Sequence, residues 1–179
     1  MSGENTHQER QSSYRGFELL PVHLYVLLHL KRAGVDYAKM MARMTELDVQ
    51  TINDAIRDLI ELGLVERDSG SAIKRSKARF KKAFEVHKHH TYYRLSRRGD
   101  LLVRSIDERW LKSYFNGLFT DGWRVFRALA ESSNFGEACR RSGLEECDWL
   151  REELLIHHFI TPAGRKTSFF KLLCEFLGL

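Results

Sequence analysis

From Asp36 to Gly63 the chain reads as two helices joined by a turn of three residues, and few folds accommodate that arrangement. Ala38, Met41 and Ala42 lie at helical spacing in a segment from about Tyr37 to Met44. Asp36 has the chemistry of its N-cap, and Lys39 is an exposed partner on the same turn. Thr45-Glu46-Leu47 forms the turn. Asp48 is then placed to cap a helix from Val49 to Leu62, whose apolar face is Val49, Ile52, Ile56, Leu59 and Ile60 at spacings of three and four. Gly63 stops it. Two helices joined in this way, the second amphipathic, describe a helix-turn-helix.

The flanking segments extend the pattern. Residues 1–15 are polar and nearly free of apolar side chains, so they read as a disordered tail. Pro21 suits a first helical turn. Val22, Tyr25, Val26, Leu28 and Leu30 make the following helix apolar nearly all round, hence buried, and Gly34 ends it. After Gly63, Leu64-Val65-Glu66-Arg67 is a short strand, and the alternating Thr91–Ser96 is its return strand. Ser96 caps a fourth helix running through Leu101, Leu102 and Ile106 towards Trp110. The order is helix, helix, helix, strand, connection, strand, helix. The fold class this implies is mostly α with small β-wings: a winged helix-turn-helix over residues 16–109.

The connection between the strands, residues 68–90, carries the chain's positive charge. From Asp68 to Arg98 ten lysines and arginines stand against two acids, a local +8 in a chain whose total is +5. The remainder is therefore negative, at −3. Phe80, Phe84, Tyr92 and Tyr93 sit among these charges. Lysines and arginines displace condensed counterions from phosphates, so the stretch reads as a polyanion contact rather than only a solvated loop. Its residues expected on nucleic acid are Lys74, Arg75, Lys77, Arg79, Lys81, Lys82, Lys88, His89 and Arg94.

The run from Leu59, Gly63, Leu64, Val65 and Arg67 to Tyr93, Leu95, Ser96 and Gly99 resembles the wing-flanking signature of MarR- and ArsR-type winged-helix regulators. The first half also resembles an uncharacterised archaeal winged-helix family. The resemblance covers about residues 20–108 and implies the fold more sharply than the target. One departure is the wing, near ten residues in those regulators and 23 here. It is compatible with an elongated β-wing or with a short helix, since Ile73, Phe80, Phe84 and His87 fall near one helical face.

Residues 110–179 repeat the pattern in reduced form. Phe135-Gly136-Glu137-Ala138-Cys139-Arg140-Arg141 mirrors Tyr37 to Arg43, and Phe159 to Arg165 parallels Tyr93 to Asp100 with an offset of one. Between them a helix from Leu144 to about His157 has Trp149, Leu150, Leu154 and Leu155 as its inner face, and a last helix runs from Phe169 to Leu177. This is a second winged helix with almost no wing, joined to the first by helices around Asp107 to Phe119, so the two stand in tandem.

In a helix-turn-helix the N-terminal residues of the later helix face the major groove. Here those are Gln50, Thr51, Asn53, Asp54 and Arg57, with Gln50 or Asn53 suited to adenine and Arg57 to guanine. Against this, the helix with its cap holds Asp48, Asp54, Asp58 and Glu61 against one arginine. The wing is therefore expected to supply most of the affinity and the helix a modest discrimination. The corresponding helix of the second half holds Glu145, Glu146, Asp148, Glu152 and Glu153 against Arg151, which suits a protein contact better than DNA.

No metal site is expected. Neither His87, His89 and His90 nor Cys139, Cys147, His157 and His158 has a ligand spacing. No cofactor and no enzyme activity are expected: no phosphate loop, H-E-x-x-H or G-x-S-x-G occurs. Three cysteines without C-x-x-C suggest reduced thiols, and Cys139 reads as core. With neither a secretory leader nor a span, the expected location is cytoplasmic and off the membrane. The function this favours is transcription regulation on double-stranded DNA as a homodimer, with RNA as a variant polyanion. The alternative is a tandem winged-helix protein-interaction module within a larger nucleic-acid-processing assembly, with a protein partner for residues 110–179.

Overall fold

The computed structural model describes residues 13–14, 17–69, 90–143 and 147–179. It opens on a short ribbon, β1 (Ser13–Tyr14) antiparallel to β2 (Phe17–Glu18). Ser13 and Tyr14 were expected in a disordered tail from polarity alone; their backbone pairs instead, and the rest of that tail lies outside the described residues. The chain then divides into two units, one over residues 22–104 and one that joins residues 105–179 to the chain before Val22.

In the first unit α1 (Pro21–Ala33) is the central element. Leu24, Tyr25, Val26 and Leu27 are fully buried and Leu30 nearly so, as the all-round apolar pattern implies. Each such side chain contributes roughly 1.5–3 kcal/mol through burial. Two histidines on this helix are also buried, and both have partners. His29 Nε2 lies 2.8 Å from Asp36 Oδ2, and its Nδ1 lies 3.1 Å from the Tyr25 hydroxyl. His23 Nε2 lies 3.1 Å from Asp58 Oδ2. Satisfied polar groups of this kind fix relative positions inside a core at little net cost.

β3 (Asp36–Tyr37) follows, then α2 (Ala38–Thr45), α3 (Val49–Glu61), β4 (Val65–Arg67), β5 (Tyr92–Leu95) and α4 (Arg97–Arg104). β5 is the middle strand of a three-stranded antiparallel sheet of order β3-β5-β4. Asp36 was expected to cap α2. It forms β3 instead, with Tyr37 at the cap position, because its carboxylate is held by His29. Ile52, Ile56 and Leu59 face the core with Met41 and Leu64. Val49, expected in that core, is 43% exposed, and Ala55 takes the inner position. Val49 is the first residue after the Asp48 cap, where the helix still projects beyond its packing surface.

The fourth helix was expected to run on towards Trp110. It stops at Arg104, and Asp107 starts α5 (Glu108–Leu118) by accepting the Trp110 amide at 2.7 Å. A side-chain cap after two turn residues outweighs a continuing apolar period.

The second unit continues with α6 (Gly122–Glu131), α7 (Phe135–Ser142), α8 (Asp148–Ile156) and α9 (Ser168–Leu177). Single antiparallel bridges pair Asn134 with Arg165 and Ile160 with Lys166. Helix, bridge, helix, helix, turn, bridge, helix repeats the order of the first unit. The place of the wing is taken by the turn Thr161–Gly164, closed by the Gly164 amide donating to the Thr161 carbonyl at 2.8 Å. The core is a phenylalanine cluster. Phe126 stacks on Phe115 at 3.9 Å and meets Phe159 and Phe170 edge-on at 5.6 and 5.2 Å. Such pairs add about 0.5–1.5 kcal/mol each beyond burial. Among the described residues no helix is long and apolar enough to cross a membrane.

Candidate nucleic-acid interface

The turn between α2 and α3 is built from its own side chains. The buried Thr45 hydroxyl donates to the Met41 carbonyl at 2.8 Å and accepts the Leu47 amide at 3.3 Å. Glu46 adopts a left-handed conformation, φ 59°. Asp48 Oδ1 accepts the Gln50 amide at 2.6 Å. These contacts set the direction in which α3 leaves the turn, and so which side chains it presents.

Gln50 is exposed, Arg57 is 61% exposed, and Thr51 and Asn53 are half-buried on either side of that stripe. Asp54 draws two of the expected base readers together. Gln50 Nε2 donates to Asp54 Oδ1 at 2.9 Å, and an Arg57 guanidinium nitrogen lies 2.9 Å from the same oxygen. Three of the four acids of α3 and its cap therefore separate by role. Asp48 is occupied by the helix's own amide, Asp58 by His23 of α1, and Asp54 by Gln50 and Arg57. The excess negative charge counted along this helix is in large part tied up in capping and pairing, and is a weaker obstacle to phosphate than the count implies.

Two exposed apolar side chains, Met44 at the end of α2 and Val49 at the start of α3, flank the turn. Sequence reasoning passed over both because helical periodicity assigns an apolar residue inward by default. Only the packing of the turn shows otherwise.

The other edge of the site is the sheet. Glu66 and Arg94 are register partners across β4 and β5, and Arg94 Nε donates to Glu66 Oε1 at 2.8 Å. Asp68 Oδ1 lies 3.8 Å from the same guanidinium. Arg94, expected on phosphate, is thus shared by two carboxylates, and a phosphate must compete with them for it. At the far end of β5, His90 stacks on Tyr37 at 4.3 Å, and Tyr92 meets Tyr37 edge-on at 5.4 Å. Burial raises the Tyr92 phenol above its ordinary value. Lys74, Arg75, Lys77, Arg79, Lys81, Lys82, Lys88 and His89 lie outside the described residues. Their segment leaves the sheet after β4 and rejoins it at β5, where the Asp68 amide donates to the Tyr92 carbonyl at 2.8 Å.

In the second unit the side chains of α8 sort differently. Trp149, expected inside, is 39% exposed, and Ile156 is 67% exposed; Asp148 and Glu152 are exposed with them. The one cation of the helix, Arg151, hydrogen-bonds the Pro162 carbonyl and lies over the Phe135 ring.

A family model described as an uncharacterized protein conserved in archaea (DUF2250) matches residues 14–106. No curated protein and no solved structure matches the chain.

Proposed function

The chain belongs to that archaeal family, which covers more than half of it, and we propose that this member is a duplex-DNA-binding transcription regulator, without enzyme activity of its own. One observation carries the reading. The helix-turn-helix of the first unit leaves Val49, Gln50 and Arg57 of α3 exposed on one face, with Thr51, Asn53 and Asp54 half-buried beside them, next to a sheet whose β4–β5 connection holds seven lysines and arginines against a single acid between residues 70 and 89. In this reading the wing straddles phosphates, Gln50, Asn53 and Arg57 meet base edges, and Val49 and Met44 suit the thymine methyl group. The likeness to MarR- and ArsR-type regulators around Gly63 and Gly99 supports the same use. Two copies related by a twofold axis would place two α3 helices on successive half-sites. Arg57 exchanges Asp54 for guanine on binding.

A second reading is favoured by α8 alone. Its exposed Trp149 and Ile156 sit among acids, so this helix repels phosphate where its counterpart in the first unit would meet it, and fits a protein partner within a larger assembly.

The test is fluorescence anisotropy with a random-sequence duplex at low and moderate salt. The comparison is wild type against a variant with Lys74, Arg75, Lys77 and Arg79 changed to alanine. Wild type should bind with a steep salt dependence. The variant should lose most of the affinity, and its salt slope should flatten by roughly one for each phosphate contact removed. No wild-type binding at low salt would overturn the DNA reading and leave the protein-interaction module.

A further inference from the structure

The outward face of α8 differs in kind from that of α3, the helix at the same place in the order of the first unit. Trp149, Glu152, Glu153 and Ile156 stand three, four and seven positions apart, so they share one face of the helix, while Leu150 and Leu154 are buried on another. Trp149 and Ile156 are its exposed apolar ends, Glu152 is exposed between them, and Glu153 is half-buried, 3.9 Å from His157. Arg151, the one cation of α8, is engaged by the Pro162 carbonyl and the Phe135 ring, so it does not neutralise these acids. Where α3 shows Gln50 and Arg57, α8 shows acids between two apolar anchors. Such a face is complementary to a cationic chain that carries apolar side chains among its charges.

This chain holds such a sequence. Residues 70–89 carry seven lysines and arginines against Glu85 alone, with Ile73, Phe80 and Phe84 interspersed. We infer that the exposed face of α8 is a docking surface for the 70–89 segment of a second copy of this chain. The segment's cations meet Glu152 and Glu153, and its isoleucine and phenylalanines cover Trp149 and Ile156, taking apolar surface out of water on both sides. Every copy carries both the segment and the face. The exchange is therefore reciprocal, and a twofold pair closes with two identical contacts rather than growing into a chain. The pair belongs to the protein off DNA, since a duplex draws on the same cations. The inference rests on the reading of α8 as a protein contact and names the partner.

The test is sedimentation velocity of the full chain without DNA, over a range of concentration and salt, on wild type and two variants. One variant has Lys74, Arg75, Lys77 and Arg79 changed to alanine and cannot donate the segment. The other combines Glu152→Lys with Ile156→Ala, both at exposed positions, and cannot receive it. Wild type should dimerise, more weakly as salt rises. Each variant alone should lose affinity for itself by at least roughly tenfold, with a denaturant midpoint like that of wild type. An equimolar mixture of the two variants, one of them fluorescently labelled, should regain association, because the intact segment of one meets the intact α8 of the other. Wild type that stays monomeric throughout would overturn the proposal and leave the face of α8 to a different protein. Dimers as tight in the Glu152→Lys, Ile156→Ala variant would overturn it together with α8 as the contact. A mixture that associates no better than its components would overturn it too, whatever the variants do alone.

Discussion

Asp54 shows how much a single carboxylate decides on an exposed helix face. It accepts from Gln50 and pairs with Arg57, so two groups suited to base edges are held by one negative charge. An asparagine there still accepts from Gln50 but no longer holds the guanidinium or repels phosphate. Asp54→Asn is therefore expected to tighten binding to random duplex by roughly twofold to fivefold, the scale of one exposed ion pair. The gain should disappear when Arg57 is also alanine. Equal anisotropy titrations for wild type and Asp54→Asn would remove this face from the interface. The Asp48 cap was legible in the sequence because an N-cap depends only on neighbouring residues. That Asp58 turns inward to His23 was not, since its partner lies 35 positions away on another helix.

The motif residues Gly63, Ser96 and Gly99 acquire their meaning as elements meet. The Ser96 hydroxyl donates to the Gly63 carbonyl at 2.6 Å and accepts the Gly99 amide at 3.0 Å, so one side chain joins the end of α3 to the start of α4. Gly63 is left-handed at φ 70°. A β-carbon on Gly99 would lie 2.0 Å from the Leu64 carbonyl oxygen, a backbone atom that cannot turn aside. Gly99→Ala should accordingly destabilise the first unit by about 2–3 kcal/mol through overpacking, read as a lower denaturant midpoint. An unchanged midpoint would mean that α4 can shift without loss. The helices of this unit were legible within a few residues because periodicity and caps are local. The break at Ser105, the strand at Asp36 and the exposure of Val49 were not, because each reflects a competing partner or the edge of a packing surface.

Across the whole molecule, histidines with depressed pKa values tie stability to pH, His23 from a buried position, His157 from a half-buried one and His158 from an exposed one. Burial lowers the pKa of His23 in the first unit and of His157 and His158 in the second below the ordinary 6.5; for His23 and His157, nearby carboxylates oppose it without prevailing. A group whose folded pKa is depressed contributes fully above its unfolded value and loses that contribution as pH falls towards the folded one. Both units should therefore weaken as pH drops below about 6.5. Further acid should weaken them again, since Asp100, held low chiefly by a hydrogen bond from Lys31, and Glu137, held low by the Ser133 amide, become protonated. Denaturant midpoints measured at about pH 7 and about pH 5 should fall, and His23→Gln should reduce the fall in the first unit. A midpoint that rises on acidification would show that Asp58 holds the protonated ring after all.

Local periodicity, caps and charge by themselves determined that this chain is mostly helical, that a helix-turn-helix lies between residues 36 and 63, and that the positive charge gathers between the two strands. They also made the repeat of helix order in the second half visible, because each unit must bury the same kind of apolar helix faces. Only the tertiary structure decided that Arg94 is shared by Glu66 and Asp68, that Asp54 and Asp58 of α3 are paired, and that Trp149 faces outward. Each of these depends on which distant or facing group a side chain meets, and spacing along the chain carries no such information.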